Sequence, residues 1–248
     1  MNSFICWVGG KKLLRKSIID NFPEGTDRYI EVFGGAGWVL FGKEPHKLEV
    51  FNDIDGELIN LYRCVKYHPD ALQKELDFML MSREQFFDQR ERNLRGLTDI
   101  QRAARYFYII KSSFGGKKTS FGTGKRNIYN ATAYLMQVTS RLKNVVIENE
   151  DFTRIIKTYD RPTALFYCDP PYYGAEKNYN AKFGVEEHIK LRDILTDIKG
   201  KFLLSYNDCE YIRELYKDFE IVEIERANNL KTKSGVDEKY KELIIKNY

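Results

Sequence analysis

Ala164-Leu165-Phe166-Tyr167-Cys168-Asp169-Pro170-Pro171-Tyr172 is the stretch on which the reading of this chain turns. Its first five residues are apolar or aromatic and carry no charge, the pattern of a strand buried on both faces. Two prolines then fix the backbone φ and remove two N–H donors. Nearby carbonyls are left to accept hydrogen bonds without local competition. Asp169 adds a carboxylate acceptor and Tyr172 a flat aromatic face. In an open α/β sheet, ligands bind beyond the carboxyl ends of the strands. The set suits a planar group bearing an NH₂, with two acceptors for its hydrogens and a ring to stack on it. The plainer alternative is a strand-ending turn over a buried Tyr; the whole tetrapeptide at a strand end favours the ligand.

Outward from this segment, further short β-branched and aromatic runs predict strands at Tyr29–Phe33, Leu48–Asn52, Val145–Glu148, Phe202–Tyr206, Glu220–Glu225 and Glu242–Lys246, seven in all. Amphipathic stretches separate most of them. Gly56–Lys66 and Glu186–Ile198 have helical spacing. Strand–helix alternation implies an α/β fold with a parallel or mostly parallel sheet covered on both faces. The alternation breaks between about Pro69 and Lys143. Helical patterns at Asp70–Leu80, Arg83–Arg92 and Ile100–Lys111 lead into a loop, Ser112–Tyr129, with four glycines. The chain thus divides into a body, 1–68 and 144–248, and a helical insertion, 69–143.

A second motif follows the first strand: Glu31-Val32-Phe33-Gly34-Gly35-Ala36-Gly37. Small residues let backbone approach a ligand closely. Asp53 stands 18 residues after Gly35, at the end of the second strand, where a carboxylate can grip ribose hydroxyls. The dinucleotide pattern GxGxxG is incomplete, since Gly35-Ala36-Gly37 leads to Leu40. No GKS or GKT phosphate loop is present. A ligand with a ribose but no pyrophosphate fits; a plain tight turn is the alternative.

Composition bounds the rest. The 248 residues are 43% apolar and 14% aromatic, which excludes a solvated, disordered chain. The net charge of +4 decides little, but its distribution is uneven. Ile100–Ile147 contains no Asp or Glu and nine basic residues: Arg102, Arg105, Lys111, Lys117, Lys118, Lys125, Arg126, Arg141 and Lys143. The remainder holds 31 basic and 36 acidic residues, a net of −5. A basic segment inside an acidic body points to a polyanion contact at one place. Arg105, Lys111, Ser113, Lys117, Lys118, Lys125, Arg126 and Asn127 are candidates for it, and Lys231 and Lys233 for a second backbone contact. The four cysteines are far apart in sequence, so no CxxC pair or zinc knuckle exists, and three are expected to be buried, reduced side chains. His46, His68 and His188 lie in no metal-ligand pattern, and no metal is called for. Tyr106-Phe107-Tyr108 could stack bases, but its helical spacing beside Ile109 and Ile110 favours core. No apolar run nears the roughly 18 residues needed to cross a bilayer. No membrane association, a cytoplasmic location and a monomer are expected.

The motifs, taken in order, resemble the Dam-like class of DNA adenine-N6 methyltransferases, which use S-adenosylmethionine (AdoMet). Trp7-Val8-Gly9-Gly10-Lys11 looks like the family's W-x-G-G-K element, and Glu31–Gly37 like its glycine loop, with Val32 where Pro is usual. Asn52-Asp53-Ile54 with Asn60-Leu61-Tyr62, Glu150-Asp151-Phe152, Asp169–Tyr172, Leu204–Asp208 and Glu242–Tyr248 match later elements. The resemblance implies a Rossmann-like, seven-stranded methyltransferase sheet with a mostly helical target-recognition insertion. It implies AdoMet contacts at Trp7, Gly10, Lys11, Phe33, Gly35, Ala36, Gly37, Asp53, Ile54, Asp151, Phe152 and Asp169. Catalysis falls to Asp169, Pro170, Pro171 and Tyr172, acting on a flipped-out adenine in double-stranded DNA. The insertion departs from the family at its N-G-x-x-R-x-N-type reader of GATC, where this chain has Ser112-Ser113-Phe114-Gly115-Gly116-Lys117-Lys118. An RNA adenine or DNA cytosine-N4 methyltransferase, or a silent DNA-binding module, are the alternatives.

Overall fold

The structure, a computed structural model, describes residues 1–123, 128, 132–174, 183–226 and 240–248. Lys125, Arg126, Asn127, Lys231 and Lys233 lie outside the described residues. Seven strands form one sheet: β1 Arg28–Glu31, β2 Leu48–Asn52, β3 Val145–Glu148, β4 Ala164–Cys168, β5 Lys201–Asn207, β6 Glu220–Arg226 and β7 Tyr240–Lys246. Their order is β3-β2-β1-β4-β5-β7-β6. The first five pair in parallel, and β7 runs antiparallel between β5 and β6. This is the Rossmann-like methyltransferase sheet that the sequence resemblance implied.

Side-chain alternation along the strands fills two cores. Tyr29, Phe51, Leu165, Tyr167, Leu203 and Ile244 face one side, and Ile30, Val50, Phe166, Cys168, Leu204 and Ile245 the other. The chain runs outward from β1 to β2 and β3, then returns to place β4 on the other flank of β1. The loops after β1 and β4 therefore diverge at a topological switch point, where such sheets open a crevice.

Helices cover both faces. Near the amino terminus are α1 Arg15–Asp20 and α2 Trp38–Gly42. Next come α3 Gly56–Tyr67, N-capped by Asp55, and α4 Pro69–Asp77, with its proline where no N–H partner is needed. α5 Arg83–Glu91 precedes α6 Asp99–Ser112, which starts with a Thr98/Gln101 capping box. Leu135–Leu142 forms α7, Phe152–Tyr159 α8, Val185–Thr196 α9 and Glu210–Leu215 α10. The sequence pattern did not single out α7, whose short apolar stripe follows the glycine-rich loop.

The helices of 69–143 share the body's core. Phe4 stacks on Phe107 of α6 at 6.3 Å and meets Tyr62 of α3 edge-on at 5.0 Å. Tyr106, Phe107 and Tyr108 are all buried. Cys64 and Cys168 are buried, but Cys209 is half-buried and Cys6 exposed, so two cysteines rather than three are enclosed. No helix among the described residues is long and apolar enough to cross a membrane.

The acid-free segment is less free than its composition suggests. Arg141 donates to Glu49 at 2.5 and 2.8 Å, beside Lys43, which also pairs with Glu49. Arg102 pairs with Glu57 and Asp99. Arg105 donates to the carbonyls of Gln89 and Arg90. Carboxylates from outside the segment thus neutralise part of it, something only folding reveals.

Candidate active site

Asp169 leaves β4 into the crevice. Lys11 Nζ lies 2.7 Å from its Oδ1 and 2.9 Å from its Oδ2, and Ser205 Oγ on β5 donates to Oδ1 at 3.0 Å. Tyr167 OH shares a 3.1 Å hydrogen bond with that serine. Burial raises the Asp169 pKa; Lys11 opposes that shift, Glu242 adds to it and Ser205 also opposes it. Lys11 is only 5% exposed and lies 4.6 Å from the Tyr172 ring centre. The Tyr172 hydroxyl donates to Glu242 on β7 at 2.5 Å, which fixes the ring that would stack on a base. Pro170 and Pro171 are buried between these groups.

On the other side of the switch point, the glycine loop bends back on itself. Gly35 and Gly37 have φ of +50° and +64°, a region that favours glycine. A Cβ on Gly35 would meet Trp7 Cδ1 at 2.9 Å, and one on Gly10 would meet Trp38 Nε1 at 2.9 Å. Asp53 accepts from the Gly35 N–H at 2.8 Å and the Asp55 N–H at 2.9 Å. Asn149 donates to the Asp53 carbonyl, and Asn52 bridges Val32 and Glu150. Phe33, Phe152 and Phe183 form an aromatic cluster with ring centres 5.6–5.8 Å apart. Asp151 caps α8 through Thr153.

One cavity of about 770 Å³ reaches from Trp7 and Lys11 through Phe33–Gly37, Asp53 and Ile54 to Asp151, Phe152, Asp169 and Pro171, while Pro170, Tyr172, Ser205 and Glu242 stand behind its lining. Every sequence-predicted AdoMet residue lines it. The residues suit AdoMet: bare glycine backbone, a ribose-type carboxylate at Asp53, an aromatic wall and room for the whole molecule. Among the described residues, no group of three or more His, Cys, Asp or Glu side chains is arranged to hold a metal.

Burial pushes the Asp53 carboxyl up to about 6, against an ordinary 3.8. The sequence resemblance implies that Asp53 would accept ribose hydroxyls, which an ionised carboxylate does more strongly than a neutral carboxyl. AdoMet affinity is therefore expected to be constant above pH 7 and to fall about tenfold per unit below pH 6, which equilibrium dialysis between pH 5 and 8 checks. The sign for the unliganded protein is opposite. A raised folded pKa contributes stability that is present below the unfolded value and lost as pH rises through about 6.

The predicted DNA contacts scatter. Lys117 is exposed and Lys111 half-buried on α6. Ser113 is fully buried and its hydroxyl donates to the Ile110 carbonyl, so the expectation that it reaches DNA is not met. Arg105 is tied to main-chain carbonyls, as described above. Lys118 points into the cavity wall. His188, read from sequence as a packing residue, is buried against Tyr206. Ser205, Glu242 and Asn149 were missed as site residues. A lone serine and a lone acid within the apolar strands β5 and β7 were the only sequence signal.

A mostly parallel sheet with β7 slotted antiparallel between β5 and β6, a glycine loop after β1 and DPPY after β4 together define a Rossmann-like methyltransferase. The chain belongs to the D12 class of N6 adenine-specific DNA methyltransferases, whose family model matches residues 7–230. It is 31% identical over 274 residues to the type II methyltransferase M1.LlaDCHI of Lactococcus lactis subsp. cremoris, across 100% of this chain and 96% of the relative. It is 29% identical to the type II methyltransferase M.CviBI of Paramecium bursaria Chlorella virus NC1A, across 100% of both. It is 25% identical to the DNA adenine methylase of Haemophilus influenzae, across 97% of this chain and 92% of that one. The protein is thus an adenine-specific DNA methyltransferase that uses AdoMet.

Proposed function

We propose that the protein methylates N6 of an adenine flipped out of duplex DNA, with Asp169 and the Pro170 carbonyl accepting the two amine hydrogens. The observation that carries this reading is the Asp169 carboxylate, held by Lys11 and Ser205 beside the anchored Tyr172 ring. The adenine amine is a poor nucleophile because its lone pair is delocalised into the ring. Two acceptors favour a tetrahedral nitrogen. AdoMet, when bound, supplies an activated methyl on a good leaving group. The chain's own work is alignment and control of the amine protons. Lys11 keeps Asp169 charged in a buried site, and the elevated pKa of Asp169 suits it to take the proton released by the nitrogen. A duplex hides the amine, so the base must leave the stack, and Tyr172 compensates by stacking on it. Trp7, Gly10, the Phe33–Gly37 loop, Asp53, Ile54, Asp151 and Phe152 would hold AdoMet.

In this reading, residues 1–68 and 144–248 carry the chemistry, residues 69–143 meet the DNA, and the enzyme works as a monomer. Arg102, Arg105 and Arg141 are committed to protein partners and Lys118 to the cavity wall. Lys111, Lys117, Lys125, Arg126 and Lys143 of the acid-free segment are the proposed phosphate contacts. If all five engage, log K for DNA should fall with log[salt] with a slope near −4.5, at roughly 0.9 per contact. Fluorescence anisotropy on a duplex across a salt series checks it. Lys117→Ala should reduce the slope by about one, whereas Arg141→Ala should destabilise the fold instead.

The function itself is tested with methyl-labelled AdoMet and duplex DNA, digested to nucleosides. Label in N6-methyladenine is expected. Label only with RNA, or in N4-methylcytosine, would replace the proposal, and tight DNA binding with no label would identify a silent binding module.

A further inference from the structure

Lys118 belongs by sequence to the basic insertion, yet the fold half-buries it against the cavity wall. Gly115 and Gly116 have φ of +62° and +74°, and a Cβ on Gly116 would meet the Cys6 backbone at 3.0 Å. This pins the loop to the amino-terminal segment that carries Trp7. Lys118 follows with φ of +64°, the only positive φ at a non-glycine residue among those described. A side chain in that region costs of order 1 kcal/mol, so its surroundings must hold it there. They do: its Nζ lies 4.7 Å from the Trp7 ring centre and 4.9 Å from that of Tyr106, and donates to the Tyr106 hydroxyl at 2.9 Å. That hydroxyl donates in turn to Asp55 at 2.7 Å. The ammonium has three N–H donors, and among the described residues one of them has a protein acceptor. It lines the cavity that holds Asp53 and Asp169.

AdoMet carries one negative group, its carboxylate, against two positive ones. Of the two lysines set into the cavity wall, Lys11 is engaged by Asp169; Lys117 and Lys190 are exposed at the rim. The geometry points to Lys118 as a cofactor-binding residue, pairing with the carboxylate of AdoMet rather than with a DNA phosphate. The inference rests on the AdoMet reading of the cavity. A contact that sequence assigns to DNA becomes a contact between the insertion loop and the cofactor. Burial between two rings, which lowers the Lys118 pKa, is consistent with an ammonium that meets its anion only in the loaded site.

The test measures two binding constants separately on the full chain. AdoMet affinity is read by calorimetry, and duplex DNA affinity by anisotropy without AdoMet, for wild type, Lys118→Met and Lys117→Met. Lys118→Met should weaken AdoMet about tenfold or more, the size of one lost charge-assisted hydrogen bond, and leave DNA affinity within about twofold. Lys117→Met should do the reverse. Both variants lie outside the hydrophobic core, and thermal unfolding at the wild-type temperature excludes a folding defect. S-adenosylhomocysteine, which keeps the carboxylate but lacks the methyl, should lose as much affinity as AdoMet. Unchanged AdoMet affinity with weakened DNA binding in Lys118→Met would overturn the inference and leave the AdoMet reading intact. A wild-type protein that fails to bind AdoMet would overturn both.

Discussion

Asp169→Ala is expected to reduce single-turnover methyl transfer by about 10²–10³-fold, the scale on which removal of one pre-organised group at a reacting centre acts. Among the described residues, the side chain is the one carboxylate that directly follows β4. It is held in one orientation by Lys11 and by Ser205, which Tyr167 supports from below. No neighbour can substitute for it. Of the buried acids nearby, Glu242 is engaged by the Tyr172 hydroxyl, and Glu31 by the Tyr29 hydroxyl and the Leu40 N–H. AdoMet affinity should fall far less than turnover, because Asp169 is one of twelve residues expected to contact the cofactor in the cavity. Unfolding temperature should fall, because the change leaves the buried Lys11 ammonium without its partner, so turnover is compared at a temperature where both proteins are folded. Full turnover in Asp169→Ala would refute the mechanism, and so would a loss of turnover traceable only to unfolding.

Lys11→Met should be the second large effect, and its pH dependence is distinctive. Removing one member of a buried ion pair costs about 3–5 kcal/mol. The lower end is expected here because the Asp169 side chain keeps 19% exposure and can neutralise itself by taking up a proton. Without the ammonium, the already raised Asp169 pKa rises further. Two trends follow with opposite signs. A folded pKa above the unfolded one contributes stability that is lost as pH rises through it, so the variant's stability deficit should grow with pH. Activity needs the ionised carboxylate, so residual turnover should climb over the same interval. Thermal unfolding and single-turnover rates from pH 6 to 9 read both. Adding Asp169→Asn should restore most of the stability, because a neutral amide no longer needs a buried cation, and none of the activity. Parallel trends in stability and rate would mean that Lys11 acts only through folding.

Much of the molecule was legible before folding. Strands β2, β3 and β4 begin and end where expected: β4 is an unbroken buried run stopped by Asp-Pro, whereas β2 carries Glu49 within it and β3, at the sheet edge, is buried only at Val145. β1 is shorter than expected. Val32 and Phe33 continue the apolar pattern, but the glycines beyond them turn the chain out of the sheet. The residues proposed to hold AdoMet could be picked out as a set lining one cavity for a related reason. Glycines that permit close approach, and acids at strand ends, are local features with local signals.

The alternating pattern also determined which face of each strand would be buried, and DPPY after an apolar run determined where ligand chemistry would stand. Tertiary structure decided what each charge is for. Nine cations in an acid-free stretch look alike in sequence. In the fold, Arg141 meets Glu49 across 92 residues, Arg102 meets Glu57 across 45, and Lys118 turns between Trp7 and Tyr106. Likewise, Glu242 reaches Tyr172 across 70 residues only because β7 enters the sheet beside β5. Local propensity and periodicity act over a few residues and can be read in order along a chain. Partnerships between charges are set by sheet order and loop paths, and these exist only once distant segments have packed.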